Sequence, residues 1–149
     1  METITKTKTV KTMKTINATN GDFVNLINGL YQVQDIKGKD FSISVSKNIA
    51  ILRDKLKDLE KAGTPSEEFM QLATKVNELA NAGEENAKEE IDKLEEENKE
   101  LVESRRIQME EVTEMMKEKI KVKLNILTED SLPEDITAKQ INSLIKIIE

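Results

Sequence analysis

The chain has 149 residues and contains no cysteine, no histidine and no tryptophan. Without thiols there is no disulfide and no thiolate chemistry. Without histidine, Ser/His and Cys/His nucleophile pairs are excluded, and a zinc site would need all-oxygen ligation. Aromatics are limited to Phe23, Tyr31, Phe41 and Phe69. The five glycines are isolated, and none is followed by the GKS or GKT of a phosphate-binding loop. No apolar run approaches about 18 residues, so no membrane-spanning segment is expected. The basic start, METITKTKTVKTMKT, has no apolar h-region and so is not a secretory signal.

What is abundant is charge. Charged residues make up 35% of the chain and hydrophobic residues 37%, with a net charge of −6. Such a composition suits helices that share a narrow apolar seam rather than a broad spherical core. The charge is uneven. Four lysines stand against Glu2 in the first 17 residues, whereas residues 84–118 hold 14 acids and 6 bases, a net of −8.

The organising stretch is Glu84 to Lys119, 36 residues without Gly or Pro. It is expected to be one unbroken helix, roughly 54 Å long at 1.5 Å per residue. Ile91, Leu94 and Leu101 share one seam with Asn98, where a polar residue would fix register. Val102, Met109, Val112 and Met116 continue on a seam shifted by four residues, a stutter. The other strand of the hairpin is read from Val45, Ile49, Leu52, Leu56 and Leu59, capped by Ser42 or Ser46. Its phase slips at Gly63-Thr64-Pro65, where Thr64 is the expected N-cap with Glu67 closing a capping box. Phe69, Leu72, Val76 and Leu79 then resume the seam as far as the turn at Gly83. Folding about Gly83 sets Leu72 opposite Leu94 and Thr64 opposite Val102, so both helices would change phase at one height.

Around the hairpin, Lys14–Ala18 reads as a strand, and Ile120, Val122, Leu124 and Ile126 alternate with polar residues as a second strand able to pair with it. Asn20-Gly21-Asp22 opens a helix carrying Phe23, Leu26, Ile27, Leu30 and Val33. Thr137 and Gln140 form a capping box before a last helix presenting Ile141, Leu144, Ile145 and Ile148. The expected fold class is mainly α (α+β): a long antiparallel helical hairpin on a small base with a two-stranded sheet and short flanking helices. The expected division is an extended arm over residues 1–13 and a single domain over 14–149. Within it, residues 14–41 and 120–149 form the base and 42–119 the hairpin.

No catalytic, cofactor-binding or metal-ligating set is expected. Glu89, Glu90, Asp92, Glu95, Glu96 and Glu97 are dense, but on a helix they spread over the solvent side among Lys93 and Lys99. Met109, Met115 and Met116 read as seam filler, with an adaptable contact surface as the alternative, and Arg105-Arg106 as a solvated pair, with an interhelical ion pair second. The candidate functional residues are therefore contact residues. One set is the arm: Lys6, Lys8, Val10, Lys11, Met13 and Lys14. The other is the seam: Leu52, Leu56, Leu72, Val76, Ile91, Leu94, Leu101, Met109, Val112 and Met116. The arm's lysines suit phosphate contacts, but the acidic chain and the absence of interleaved aromatics argue against nucleic acid. Edge pairing with a neighbour's sheet, or attraction to an acidic helix, suits it better.

Asn20-Gly21-Asp22-Phe23-Val24 opening an amphipathic helix resembles the start of a family of small phage proteins with no assigned function. Ser46-Lys47-Asn48-Ile49 with Leu52 resembles the family's second helix. Ile126, then Leu132-Pro133-Glu134-Asp135-Ile136-Thr137 and Ile147-Ile148-Glu149, resembles its tail. The matching stretches cover roughly half of the chain, the middle is generic coiled coil, and the Thr/Lys arm departs from the pattern. The family supplies no catalytic residues. The resemblance implies a phage setting with a virion or assembly role, and together with the missing catalytic motifs the expected function is that of a non-enzymatic, multi-copy structural component of the virion. Its partners would be other virion proteins or copies of itself, and its location the virion or host cytoplasm, with no membrane. Alternatives are a small acidic regulator or inhibitor of a host or phage protein, and an assembly chaperone.

Overall fold

A computed structural model describes residues 12–149. The protein is mainly α with one two-stranded antiparallel sheet. It divides into two compact units, one made of residues 12–58 and 116–149 and the other of residues 59–115.

The first unit is built around its sheet. Strands β1 (Met13–Thr19) and β2 (Lys119–Asn125) pair from Met13↔Asn125 to Thr19↔Lys119. Alternation puts Ala18, Val122 and Leu124 on the buried face, with Thr15, Asn17, Lys119, Lys121 and Lys123 on the exposed one. The pairing extends one step further where the Ile126 amide donates to the Thr12 carbonyl at 2.8 Å.

Helix α1 (Asn20–Val33) follows β1 directly. Thr19 is its N-cap: the Asp22 amide donates to the Thr19 hydroxyl and the Thr19 amide donates to the Asp22 carboxylate, a complete capping box. Phe23, Leu26, Ile27, Leu30 and Val33 are all buried, as their spacing required. Gly29 is where the short helix α7 (Ala138–Ser143) comes closest, since a Cβ there would meet the Ser143 hydroxyl at 2.8 Å.

Helix α2 (Lys39–Lys55) begins earlier than expected. Neither Ser42 nor Ser46 caps it; the preceding residue is Gly38, and the Ser42 hydroxyl donates to the Ile36 carbonyl. The earlier start brings Phe41 onto the face that carries Val45, Asn48 and Leu52, spaced at i, i+4, i+7 and i+11. Ile49 is only half-buried. Leu56 interrupts the helix, and α3 (Lys57–Gly63) follows.

The C-terminal segment is fastened to the same unit. Leu127 and Ile148 bridge in parallel, with the Leu127 amide donating to the Ile147 carbonyl and the Glu149 amide to the Leu127 carbonyl. Thr137 and Gln140 form the expected capping box. The expected last helix is shorter, however. It ends at Ser143, and a 3-10 turn over Ile145–Ile147 takes its place. Three residues per turn rather than 3.6 put Ile147 below Leu144, so those two are buried and Ile145 faces solvent.

The second unit is an antiparallel helical hairpin. Helix α4 (Glu67–Ala82) ends at Gly83, whose φ of 67° is the left-handed conformation that glycine adopts without a Cβ penalty. Ser66, not Thr64, is its N-cap, accepting from the Phe69 amide; the Thr64 hydroxyl donates instead to the Glu60 carbonyl. The chain returns through α5 (Ala87–Glu97) and α6 (Lys99–Lys117).

The expected unbroken helix over 84–119 is therefore interrupted at Asn98. Its amide Nδ2 donates to the Leu94 carbonyl of its own helix and its φ of −115° departs from the helical value, so the Asn98 side chain bonds within its own helix rather than fixing register with a partner. The register across the hairpin also differs from a simple count about Gly83. Gln108 donates to the Thr64 carbonyl, six residues beyond the Val102 that counting placed opposite. Two lengths explain this. The reversal occupies Gly83–Asn86, and Thr64–Ser66 are non-helical, covering about 3.3 Å per residue against 1.5 Å in a helix. The break at 64–66 thus lies level with Arg105 and Gln108, not with the interruption at Asn98.

Candidate interaction surfaces

The hairpin buries little of its own seam. Within residues 59–115 only Leu59 and Leu72 are buried. Val76, Ile91, Leu94, Leu101 and Val112 are half-buried, and Met109 is exposed, against the expectation that it fills the seam. Two helices offer each other one stripe apiece, and with small residues such as Ala62, Gly63 and Ala73 along it the flanks stay open to water. Met70 and Ile107 are exposed as well. Leu52, Leu56 and Met116, expected in the same seam, belong to the first unit, where Leu52 and Leu56 are buried and Met116 is half-buried.

One flank of the hairpin is a shallow apolar groove of about 240 Å³ lined by Phe69, Leu72, Ala73, Val76, Asn77, Glu95 and Val102. Arg105 lies over the Phe69 ring, 5.6 Å from its centre, and donates to the Gly63 carbonyl at 2.8 Å. Gln108 donates to the carbonyls of Ala62 and Thr64 at 2.8 and 2.7 Å. These two side chains collect the carbonyls freed where α3 ends, a role that periodicity does not reveal. Arg105 is thus more than a solvated residue. Arg106 is exposed and pairs along its own helix with Glu103 and Glu110. Its hydrogen bond holds the Glu103 carboxyl below the usual range, while the two carboxylates raise the guanidinium further.

Elsewhere on the hairpin, Glu68, Glu96, Glu97 and Glu100 surround an open hollow with Leu101 and Ser104, and Lys99 is the single cation there. Over residues 59–115 the sequence holds 17 acids and 7 bases, a net of −10; the rest of the chain holds 12 acids and 16 bases, a net of +4.

In the first unit, Met13 and Lys14 of the expected contact arm lie in β1. Met13 is exposed, and Lys14 forms an ion pair with Glu149. Lys6, Lys8, Val10 and Lys11 fall outside the described residues. The exposed sheet face carries Lys119, Lys121 and Lys123 across from Thr19, Asn17 and Thr15, with no acid among those six positions. Lys119 acts on Asp22, whose carboxyl is held below its ordinary value first by the Thr19 amide and then by the Thr19 hydroxyl. Lys121 and Lys123 have no ion pair among the described residues.

Beneath that sheet is a polar pair that hydrophobic spacing does not disclose. Asn48 is fully buried. Its Nδ2 donates to the Asn125 carbonyl at 2.9 Å, and its Oδ1 accepts from the Asn125 amide at 2.8 Å and from Asn125 Nδ2 at 3.1 Å. One side chain thereby satisfies both backbone groups at the end of β2 and joins α2 to the sheet.

Among the described residues no group of three or more carboxylates is placed to hold a metal ion, and no helix is long and apolar enough to cross a membrane. Searches against models of known families, against curated proteins and against solved structures found nothing that matches this chain.

Proposed function

We propose that this is a non-enzymatic phage protein that acts through protein–protein contacts, as a multi-copy structural component of the virion. The observation that carries the contact role is the hairpin's half-covered seam. Only Leu59 and Leu72 are buried there, while Met70, Ile107 and Met109 are exposed and an apolar groove lies open beside Phe69 and Val102. Apolar surface of this kind on a helical pair gains free energy when a further protein surface covers it. The phage setting rests on the resemblance carried by residues 20–24, 46–52 and the 126–149 tail. The non-enzymatic character rests on a sequence with no His, no Cys and no phosphate loop. Virion or host cytoplasm is the location that follows.

Mass spectrometry of gradient-purified particles from the source phage tests this. Peptides from residues 84–119 at the stoichiometry of a structural protein are the expected result. A second reading, a small acidic regulator, inhibitor or assembly chaperone, is favoured by the −10 net charge of residues 59–115. Absence from particles, with abundance in infected cells, would replace the first reading with the second.

A further inference from the structure

The exposed face of the β1–β2 sheet is cationic in a chain whose net charge is −6. Alternate residues of a strand project about 6.8 Å apart, so Lys119, Lys121 and Lys123 form a ladder spanning roughly 14 Å. Their cross-strand neighbours Thr15 and Asn17 are neutral and exposed. Lys119 is partly answered by Asp22, but Lys121 and Lys123 have no ion pair among the described residues. Three like charges held on one face repel one another, a cost that an anionic surface laid across them removes.

We infer that the sheet face bearing Lys119, Lys121 and Lys123 docks the acidic hairpin of a second copy of this chain, at the hollow rimmed by Glu68, Glu96, Glu97 and Glu100. The inference rests on the multi-copy reading above and names its partner. Complementarity is the argument. Residues 59–115 carry −10 and the rest of the chain +4, so the two surfaces attract across copies where like units repel. The Glu96, Glu97 and Glu100 carboxylates rise along little more than one helical turn, about 6 Å, which is close to the spacing of two adjacent lysines of the ladder. Nucleic acid is the other anion such a ladder suits. The face carries no arginine and no aromatic for base stacking, and the acidic hairpin is present in every copy at equal concentration. Because the two surfaces are unlike, the contact is either reciprocated across a two-fold axis or repeats head to tail.

Sedimentation velocity of the full chain, over rising concentration at about 50 mM and about 500 mM salt, reads this directly. Wild type is expected to associate at low salt and to dissociate at high salt. Lys121→Glu/Lys123→Glu and, separately, Glu96→Lys/Glu100→Lys should each weaken association by about tenfold or more, and mixing the two variants should restore a complex. All four positions are exposed, so folding is retained, and circular dichroism checks it. Lys121→Gln/Lys123→Gln should fall between wild type and the charge reversal. A wild type that stays monomeric at every concentration, or associates unchanged when Lys121 and Lys123 are reversed, overturns the inference. So does binding of a single-stranded oligonucleotide that is lost in the lysine variant while self-association is absent. Detection in particles is a separate measurement, so failure of this contact and failure of the virion reading are told apart.

Discussion

The two units are made from similar helix-forming sequence and solve burial differently. The unit of residues 12–58 and 116–149 closes a core: Phe23, Leu30, Val33, Phe41, Leu52, Leu124, Leu144 and Ile147 come from two helices, a strand and the C-terminal turn, and each is almost wholly excluded from water. The unit of residues 59–115 has two sides and no cover. Its Leu and Val residues sit at comparable helical spacing, yet most remain half-exposed. Periodicity gives a helix its apolar stripe, but the number of surfaces meeting that stripe sets how much of it is buried. The first unit therefore buries the larger apolar core, and the hairpin leaves more of its apolar surface in water.

The largest test of that comparison is truncation at matched depth of sequence pattern. Phe23→Ala removes a fully buried ring and should cost about 3–5 kcal/mol, a fall in Tm of about 10 °C. Leu94→Ala, at an equally regular seam position, should cost about 1 kcal/mol, because that side chain is only partly withdrawn from water. Equal losses in thermal denaturation would mean that the hairpin seam is covered after all. Next in size is Asn48→Ala. It leaves the buried amide and carbonyl of Asn125 without their partner and should cost about 2–3 kcal/mol, with faster hydrogen exchange at the Asn125 amide as its local signature. The hairpin's own exchange rates should not change.

The smallest effect is electrostatic. Asp22 has a folded pKa below its ordinary value of 3.8 because the Thr19 amide and hydroxyl favour its charged form. The sign follows from linkage: the stabilisation is complete above the unfolded value and is lost as pH falls through the lower folded value. Acid titration of stability should therefore show Asp22→Asn below wild type at neutral pH, with the two curves converging at the acid end. Glu103, held by Arg106, behaves with the same sign in the hairpin.

Much of this fold was legible in the residues. The β1–β2 pairing, the apolar face of α1, the turn at Gly83 and the capping box at Thr137 and Gln140 each depend on local chemistry: alternation, helical spacing, a positive φ or an i, i+3 side-chain bond. What local chemistry cannot express is the matching of lengths and the meeting of distant groups. The slide of Thr64 from Val102 to Gln108 is a sum of extended and helical rises along both strands, visible only once they lie side by side. The carbonyls that Arg105 and Gln108 collect are more than 40 residues away in sequence. Asn48 and Asn125 are separated by 77 residues and resemble ordinary surface polar residues until α2 is laid on the sheet. Met109 has the spacing of a seam residue and is exposed, because spacing assigns a face and only a neighbour covers it. The sequence by itself determined where the principal helices and the strand pair lie, where the chain reverses at Gly83 and how its charge is shared out. The tertiary structure alone decided which stripes are buried, which polar groups satisfy one another and which cations stand on one face, since each requires residues far apart in the chain to occupy the same place.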